Sequence, residues 1–329
     1  MTIARGSEEG RRAAAVDRAG QGDALMDVDG YLRARKADVD RALTELLPLA
    51  DCPRPLADAM RYSVMSGGKR LRPLLCLAAA DAVGVRGQLA LPAACAIELI
   101  HTYSLVHDDL PAMDDDTLRR GQPTLHVVAG EGMAILAGDG LLTEAFHLLA
   151  REPRTTDLEL LSRKMRVIER IALAAGPVGM VGGQAIDLSS VTLSPSGRSE
   201  PPLDGDGVRD MHARKTGALI RAAATAGAIM GGGTDAQVTA VDSAAAEFGL
   251  AFQIVDDILD VEGGSADLGK TAGKDAAAGK PTFPMLYGLE RSRSMAAECL
   301  ERAESTLSAA DLADARLLRI GRWIVDRTN

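Results

Sequence analysis

Apolar positions along the chain recur with helical spacing. Residues 91–110, LPAACAIELIHTYSLVHDDL, are apolar on nearly every side until their C-terminal end, the pattern of a helix buried all round. In AAAEFGLAFQIVDDILDV, residues 244–261, Phe248, Phe252, Val255 and Leu259 follow one another at spacings of four, three and four, which makes an apolar helical stripe. Gln253, Asp256 and Asp260 form a polar stripe on the other side of the same helix. GPVGMVGGQAIDL, residues 176–188, gathers four glycines that would let helices approach closely. No strand series and no strong repeat stands out. Polar Ser/Pro/Gly stretches at 189–207 and 263–281 read as flexible loops between helices.

The pattern predicts one large all-α domain over residues 25–329, after a disordered tail at 1–24. Composition agrees: aromatics are only 3% of 329 residues, and Ala and Leu, which cost least in a helix, are abundant. The net charge of −9 argues against general nucleic-acid binding. Cys52, Cys76, Cys95 and Cys299 include no C-x-x-C pair and read as free thiols of a reducing compartment. The N-terminal stretch has no apolar signal core, and its acids Glu8, Glu9, Asp17 and Asp23 argue against a transit peptide, so the expected location is cytoplasmic. No apolar run is expected to span or insert stably into a membrane.

Two acidic clusters change the picture from scaffold to chemistry. HDDLPAMDDDTLRRG, residues 107–121, places five aspartates in nine positions. Asp108 and Asp114 would face away from each other on a straight helix. Pro111 ends such a helix, because it lacks an N–H and drives Leu110 out of the α region, so the chain can turn and bring the two acids together. Asp256 and Asp260, at i and i+4, share a helix face and repel by about 0.2–0.5 kcal/mol. Either cluster alone reads as a solvated acidic face. Together, with no His/Cys zinc set beside them and no calcium-loop spacing, they suit Mg2+, which takes a few carboxylates and completes its shell with water and phosphate oxygens.

Separate basic groups accompany the acids: Lys69 and Arg72 after a Gly pair in SGGKRLRP, Arg119 and Arg120 after the first cluster, Lys215 with Thr216, and Lys270, Lys274 and Lys280 in the second loop. Each alone reads as a solvated basic turn, and His101 alone as a core histidine. As a set in an apolar helical chain they suit a ligand with a diphosphate head and a greasy tail.

These residues resemble the trans-isoprenyl diphosphate synthases. DDLPAMDDDTLRRG looks like the family's first aspartate-rich motif in its longer form and DDILD like the second, with GGKRLRP, KTGALI, GGQAIDL, FQIVDDILD and GKTAGKDAAAGKPTFP in the family's order from about Tyr31 onward. The resemblance implies an all-α bundle around a deep central cavity (the isoprenoid synthase fold), a homodimer, and head-to-tail condensation of isopentenyl diphosphate with an allylic diphosphate. It implies Mg2+, about three ions to a site, held by Asp108, Asp114 and Asp256, with Asp109, Asp257 and Asp260 as further ligands. It implies Arg119, Lys215, Thr216, Gln253 and Lys270 at the allylic diphosphate, and Lys69, Arg72, His101 and Arg120 at the isopentenyl diphosphate. Catalysis would rest on Asp108, Asp109, Asp114, Lys215, Thr216, Gln253 and Asp256. Tyr103 and Ser104, five and four residues before Asp108, would set product length. Ser104 lies one turn below Asp108, whereas Tyr103 is about 140° around an ideal helix, so its role as the stop rests on the resemblance. An aromatic there looks most like bacterial-type farnesyl diphosphate synthases (geranyltranstransferases), with a geranylgeranyl synthase as the alternative. A terpene cyclase would lack the isopentenyl site, and a non-catalytic synthase subunit would have lost acidic clusters; this chain keeps both features.

Overall fold

The computed structural model describes residues 28–47, 51–84, 87–191, 203–262, 282–312 and 315–327. The predicted tail, the second Lys-bearing loop and Lys270 fall outside them. The described residues fold as helices: α1 Val28–Leu46, α2 Arg54–Met65, α3 Leu71–Ala82, α4 Leu91–Asp108, α5 Leu125–Ala129, α6 Glu131–Arg151, α7 Leu158–Ala175, α8 Met180–Val191, α9 Gly205–His212, α10 Ala218–Met230, α11 Asp235–Glu262, α12 Phe283–Tyr287, α13 Leu289–Ala309 and α14 Ala315–Asp326. The predicted 189–207 loop is shorter than expected, because Ser189–Val191 continue α8 and Gly205 opens α9, where the Asp204 carboxylate caps by accepting from Gly207 N–H at 2.8 Å.

Helix α4 is the axis. Ala93 to Ile100 are buried without a break, as the unbroken apolar pattern predicts. It packs against α6 and α3; α3 packs against α10, and α10 against α7 and α11. Helix α13 covers α11, and α14 returns to α3, α11 and α1. The Phe248 and Val255 side of α11 is buried with Phe252 and Leu259 packed at its edge, and that orientation turns the Gln253/Asp256/Asp260 stripe away from the core. The four cysteines are free; Cys76, Cys95 and Cys299 are buried.

Two expectations need correction. A two-residue hairpin, β1 Leu118–Arg119 with β2 Gln122–Pro123, was not expected. Its central residues Arg120 and Gly121 have φ of 53° and 74°, the positive values of the tight turn that matches strand twist. A ladder this short leaves no alternation to read. Second, α6, the Leu158–Ser190 stretch and α11 are each long and apolar enough to cross a membrane by length and composition, although one third to one half of each apolar window is buried inside the protein (44%, 33% and 50%). Isolated charges such as Asp139 hid these stretches from a search for unbroken apolar runs.

Candidate active site

The first acidic motif begins where α4 ends. The helix stops at Asp108, and the chain turns over Pro111 so that Asp114 N–H donates to the Asp108 carbonyl at 2.8 Å. Asp115 N–H donates to Leu110 O at 3.1 Å, and Asp116 N–H to Asp109 O at 3.2 Å. The proline-driven turn predicted from sequence is present, and it folds the motif back on itself. Burial pushes the Asp108 carboxyl up to about 6; repulsion from Asp114 and Asp109 adds to the rise, while Lys215 and Arg119 oppose it.

The hairpin then aims its two arginines in different directions. Arg119 Nε donates to Asp109 Oδ1 at 2.7 Å, so the buried Asp109 is engaged by a cation. Arg120, in the left-handed region, reaches instead to the carbonyl of Gly67. Glycine is needed beside it: Gly68 has φ 133°, and a Cβ there would lie 2.6 Å from Arg120 Nη1. Arg70 holds the same turn from below. It is buried, donates to Glu98 Oε1 at 2.7 Å, to Asp40 Oδ1 at 2.8 Å and to Val64 O at 2.8 Å, and sequence reasoning missed it.

Around that turn the predicted isopentenyl group assembles. The Arg72 guanidinium is pushed down to about 10 by burial and by the charge of Arg120, and its buried Nε has no partner among the described residues. Burial and the neighbouring charges of Arg72, Arg120, Arg119 and Arg70 hold the His101 ring well below its usual range, so it is neutral near pH 7. Burial lowers Lys69, which feels Arg327 and Asp256 and sits 5.2 Å from the Trp323 ring. Arg72, Arg120 and the His101 ring thus lie within electrostatic reach of one another, and Lys69 shares the influence of Asp256 with Arg72, a concentration of positive charge suited to an anion.

The second acidic motif lies within reach of this group, since both Arg72 and Lys69 feel Asp256. Asp256 Oδ1 accepts from Arg327 Nη2 at 2.6 Å. Arg327 also donates to Phe252 O at 2.7 Å and stacks 3.8 Å from the Phe252 ring. Sequence reasoning missed Arg327, whose position depends on the return of α14. Asp257 is buried, and its Oδ2 accepts from Phe283 N–H at 2.9 Å, fixing the start of α12. Asp260 and Gln253 are half-buried on the polar side of α11.

Lys215 and Thr216 sit in a π-helical turn, Ala213–Gly217, between α9 and α10. Such wide turns recur at functional sites because they swing side chains out of the α-helical register. Helices close in on it: a Cβ on Gly183 of α8 would be 2.2 Å from Lys215 N, and one on Gly249 of α11 would be 3.1 Å from Gly217 Cα. The Lys215 ammonium ion-pairs with Asp187, a buried acid of the GGQAIDL run. Three residues before it, Gln184 Nε2 is buried with no partner among the described residues. The sequence reading took the glycines of that run and passed over both polar residues.

Among the described residues no three His, Cys, Asp or Glu side chains converge on a metal position. Asp109 instead meets Arg119, Asp256 meets Arg327 and Asp257 meets the Phe283 N–H.

Ser104 and Tyr103 stand on α4 below Asp108. Ser104 Oγ donates back to His101 O at 2.9 Å. Tyr103 is 7% exposed, meets His107 edge-on at 5.7 Å, and burial with the nearby Asp108 charge raises its hydroxyl.

An all-α bundle that sets an acidic turn and an acidic helix face among arginines and lysines suits a phosphorylated ligand. Residues 53–315 match the polyprenyl synthetase family, and the chain belongs to it. It is 44% identical over 310 residues to a farnesyl diphosphate synthase from Geobacillus stearothermophilus, covering 92% of this chain and 99% of the relative. It is equally 44% identical over 308 residues to the heterodimeric geranylgeranyl pyrophosphate synthase large subunit 1 of Arabidopsis thaliana, covering 92% and 80%. A solved FPP/GFPP synthase from Zymomonas mobilis superposes with a TM-score of 0.77 at 40% identity, covering 91% of this chain and 98% of that one. The chain is accordingly a polyprenyl diphosphate synthase with the isoprenoid synthase fold, as the motif order implied.

Proposed function

We propose that the protein condenses isopentenyl diphosphate head-to-tail with dimethylallyl or geranyl diphosphate to give farnesyl diphosphate. The observation that supports the reading is the gathering of cations around both acidic motifs. Arg72 and Lys69 feel Asp256, Arg72 and Arg120 flank the neutral His101, and Lys215 and Arg119 feel Asp108. The buried, unpartnered Nε of Arg72 is a donor waiting for an acceptor, and a diphosphate oxygen fits it.

The donor chemistry also fits Mg2+: hard carboxylate oxygens, with Asp108 and Asp114 crowded in a buried turn where a divalent cation would relieve their repulsion. Asp108, Asp114 and Asp256 would hold it, with Asp109, Asp257 and Asp260 behind them. When bound it would neutralise charge developing on the departing diphosphate. Arg327 engages Oδ1 of Asp256, and a carboxylate has a second oxygen to offer an ion.

The protein's own residues carry the rest. Lys215 and Arg119 hold the allylic diphosphate and stabilise its developing charge, so the allylic C–O bond ionises. Arg72, Lys69, Arg120 and His101 hold isopentenyl diphosphate with its double bond toward the cation. Thr216 and Gln253 line the reacting carbons. After the new C–C bond forms, loss of a proton to the released diphosphate restores the alkene. The buried walls of α4 and α10 exclude the water that would quench the cation. Incubating purified protein with Mg2+, isopentenyl diphosphate and each allylic primer, then sizing the products, tests the reading; absence of any prenyl product sinks it.

The two sites should separate in kinetics. Arg72→Ala is expected to raise the KM for isopentenyl diphosphate, and Lys215→Ala that for the allylic substrate, each roughly tenfold to a hundredfold, the worth of a charge-assisted hydrogen bond. Equal effects of both variants on both substrates would defeat the assignment.

A homodimer belongs to the same reading. Val127 and Val128 of α5 and Ile135 and Leu136 of α6 are 44–55% exposed and lie close in the chain, an apolar face that a second copy would cover. Sedimentation should give a dimer, and Val128→Asp with Leu136→Asp should shift it toward monomer. A monomeric wild type at micromolar concentration would rule this face out as a dimer interface.

A further inference from the structure

The Lys215 ammonium lies between two acids. Behind it is Asp187, buried on α8 and ion-paired to it. In front is Asp108, whose carboxyl feels the lysine's positive charge. The side chain of Lys215 is 26% exposed and that of Asp187 only 7%, so the acid is closed off and the lysine partly open. The backbone is held just as closely. Gly183 is one helical turn before Asp187 on the same face of α8, and it touches Lys215 N and Cα so tightly that no Cβ fits. The π-helical turn fixes the start of the side chain, and Asp187 fixes its end.

We propose that Asp187 is a positioning residue: it draws the Lys215 ammonium to the back of the allylic site, keeps it off Asp108, and so leaves the Asp108 carboxylate to the metal. This rests on the prenyltransferase reading above. The geometry explains why an anion-binding lysine needs an anion of its own. Without Asp187, Lys215 would be free to turn toward Asp108, the acid whose carboxyl already feels its charge, and a Lys215–Asp108 pair would compete with the metal for the same oxygens. An ammonium has three N–H donors. Asp187 uses one and leaves the others for substrate oxygen.

The test is a set of four variants measured as full-length protein with both diphosphate substrates: Asp187→Asn, Lys215→Ala, their double variant, and Asp187→Glu. Asp187→Asn should raise the allylic KM and the Mg2+ dissociation constant, read by calorimetry without turnover, by about tenfold or more, and leave the isopentenyl KM within about twofold. In the Lys215→Ala background the same substitution should have less than about a twofold further effect, because the lysine through which it acts is gone. Asp187→Glu keeps the charge but moves it forward by one methylene, so it provides a readout should Asp187→Asn fail to fold. It should weaken allylic substrate and Mg2+ binding together, with isopentenyl diphosphate again unaffected. Equal losses for both substrates, an unchanged Mg2+ dissociation constant, or additive effects with Lys215→Ala would reduce Asp187 to a structural ion pair and overturn the proposal. Wild-type protein without prenyl product would instead defeat the functional reading itself.

Discussion

Asp108→Asn is expected to lower turnover by ~10²–10³, the usual cost of removing one electrostatic stabiliser of a transition state, and at the same time to raise the melting temperature of the metal-free protein. The two effects share a cause. Burial raises the Asp108 carboxyl from 3.8 to about 6, with Asp114 and Asp109 adding repulsion that Lys215 and Arg119 only partly offset. Between those two values the native chain binds more protons at this group than the unfolded chain does. Stability therefore falls as pH rises through that window, and the full penalty is present above about pH 6. Asparagine has no charge to bury, so its gain should be larger at pH 7.5 than at pH 5. Mg2+ should narrow the gap by stabilising the wild type alone, since a ligand that binds only the native state raises its melting point. Calorimetry at both pH values, with and without Mg2+, beside steady-state rates, measures all of this. Near-normal turnover in Mg2+, or a lower melting temperature at both pH values, would defeat the assignment of Asp108 as a strained ligand.

Asp256 should behave differently although its motif role is parallel. Its partner Arg327 has only 6% of its side chain exposed, and Asp256→Ala would leave that guanidinium without its carboxylate. Activity should fall as in Asp108→Asn, but the melting temperature should fall as well. The contrast arises from one acid being crowded by like charges and the other being held by a cation.

The sequence made the acidic turn and the helical core legible because both rest on local rules. Pro111 ends a helix wherever it stands, and the Phe248/Val255 stripe buries one side of α11 whatever it packs against. The cation sets were legible as a list, but only the resemblance divided them between two substrates. What stayed hidden depends on residues far apart in the chain or on rare local geometry. Arg327 meets Asp256 across 71 residues, and Arg70 meets Asp40 and Glu98 across 30 and 28. The π-helical turn at Lys215 and the positive φ of Arg120 have no pattern of apolar spacing that announces them. Asp187 and Gln184 did carry a signal: polar residues in an otherwise apolar, glycine-rich helix need a buried partner or a ligand.

Tyr103→Ala is expected to change the product, from fifteen carbons in the wild type to twenty or more. Tyr103 is buried on α4, five residues before Asp108, where a growing tail anchored at the acidic motif would run. It meets His107 edge-on at 83°, and its hydroxyl feels the Asp108 charge. Ser104 is a weaker candidate for the stop, because its hydroxyl is turned back to His101 O and it has little bulk to block a tail. Removing the Tyr103 ring opens space that a tail will fill. One further five-carbon unit gains up to ~4 kcal/mol at ~0.8 per buried carbon, which exceeds thermal energy several-fold. The farnesyl and geranylgeranyl synthases named above are equally identical to this chain, at 44%, so identity does not choose between the two lengths and product sizing decides. Products are sized after incubation with dimethylallyl, geranyl and farnesyl primers. A wild type that makes mainly twenty-carbon product from the five-carbon primer would sink the farnesyl assignment. An unchanged length in Tyr103→Ala would move the stop to another wall of the site, and a Tyr103→Phe variant that lengthens the product would transfer the role from the ring to its hydroxyl.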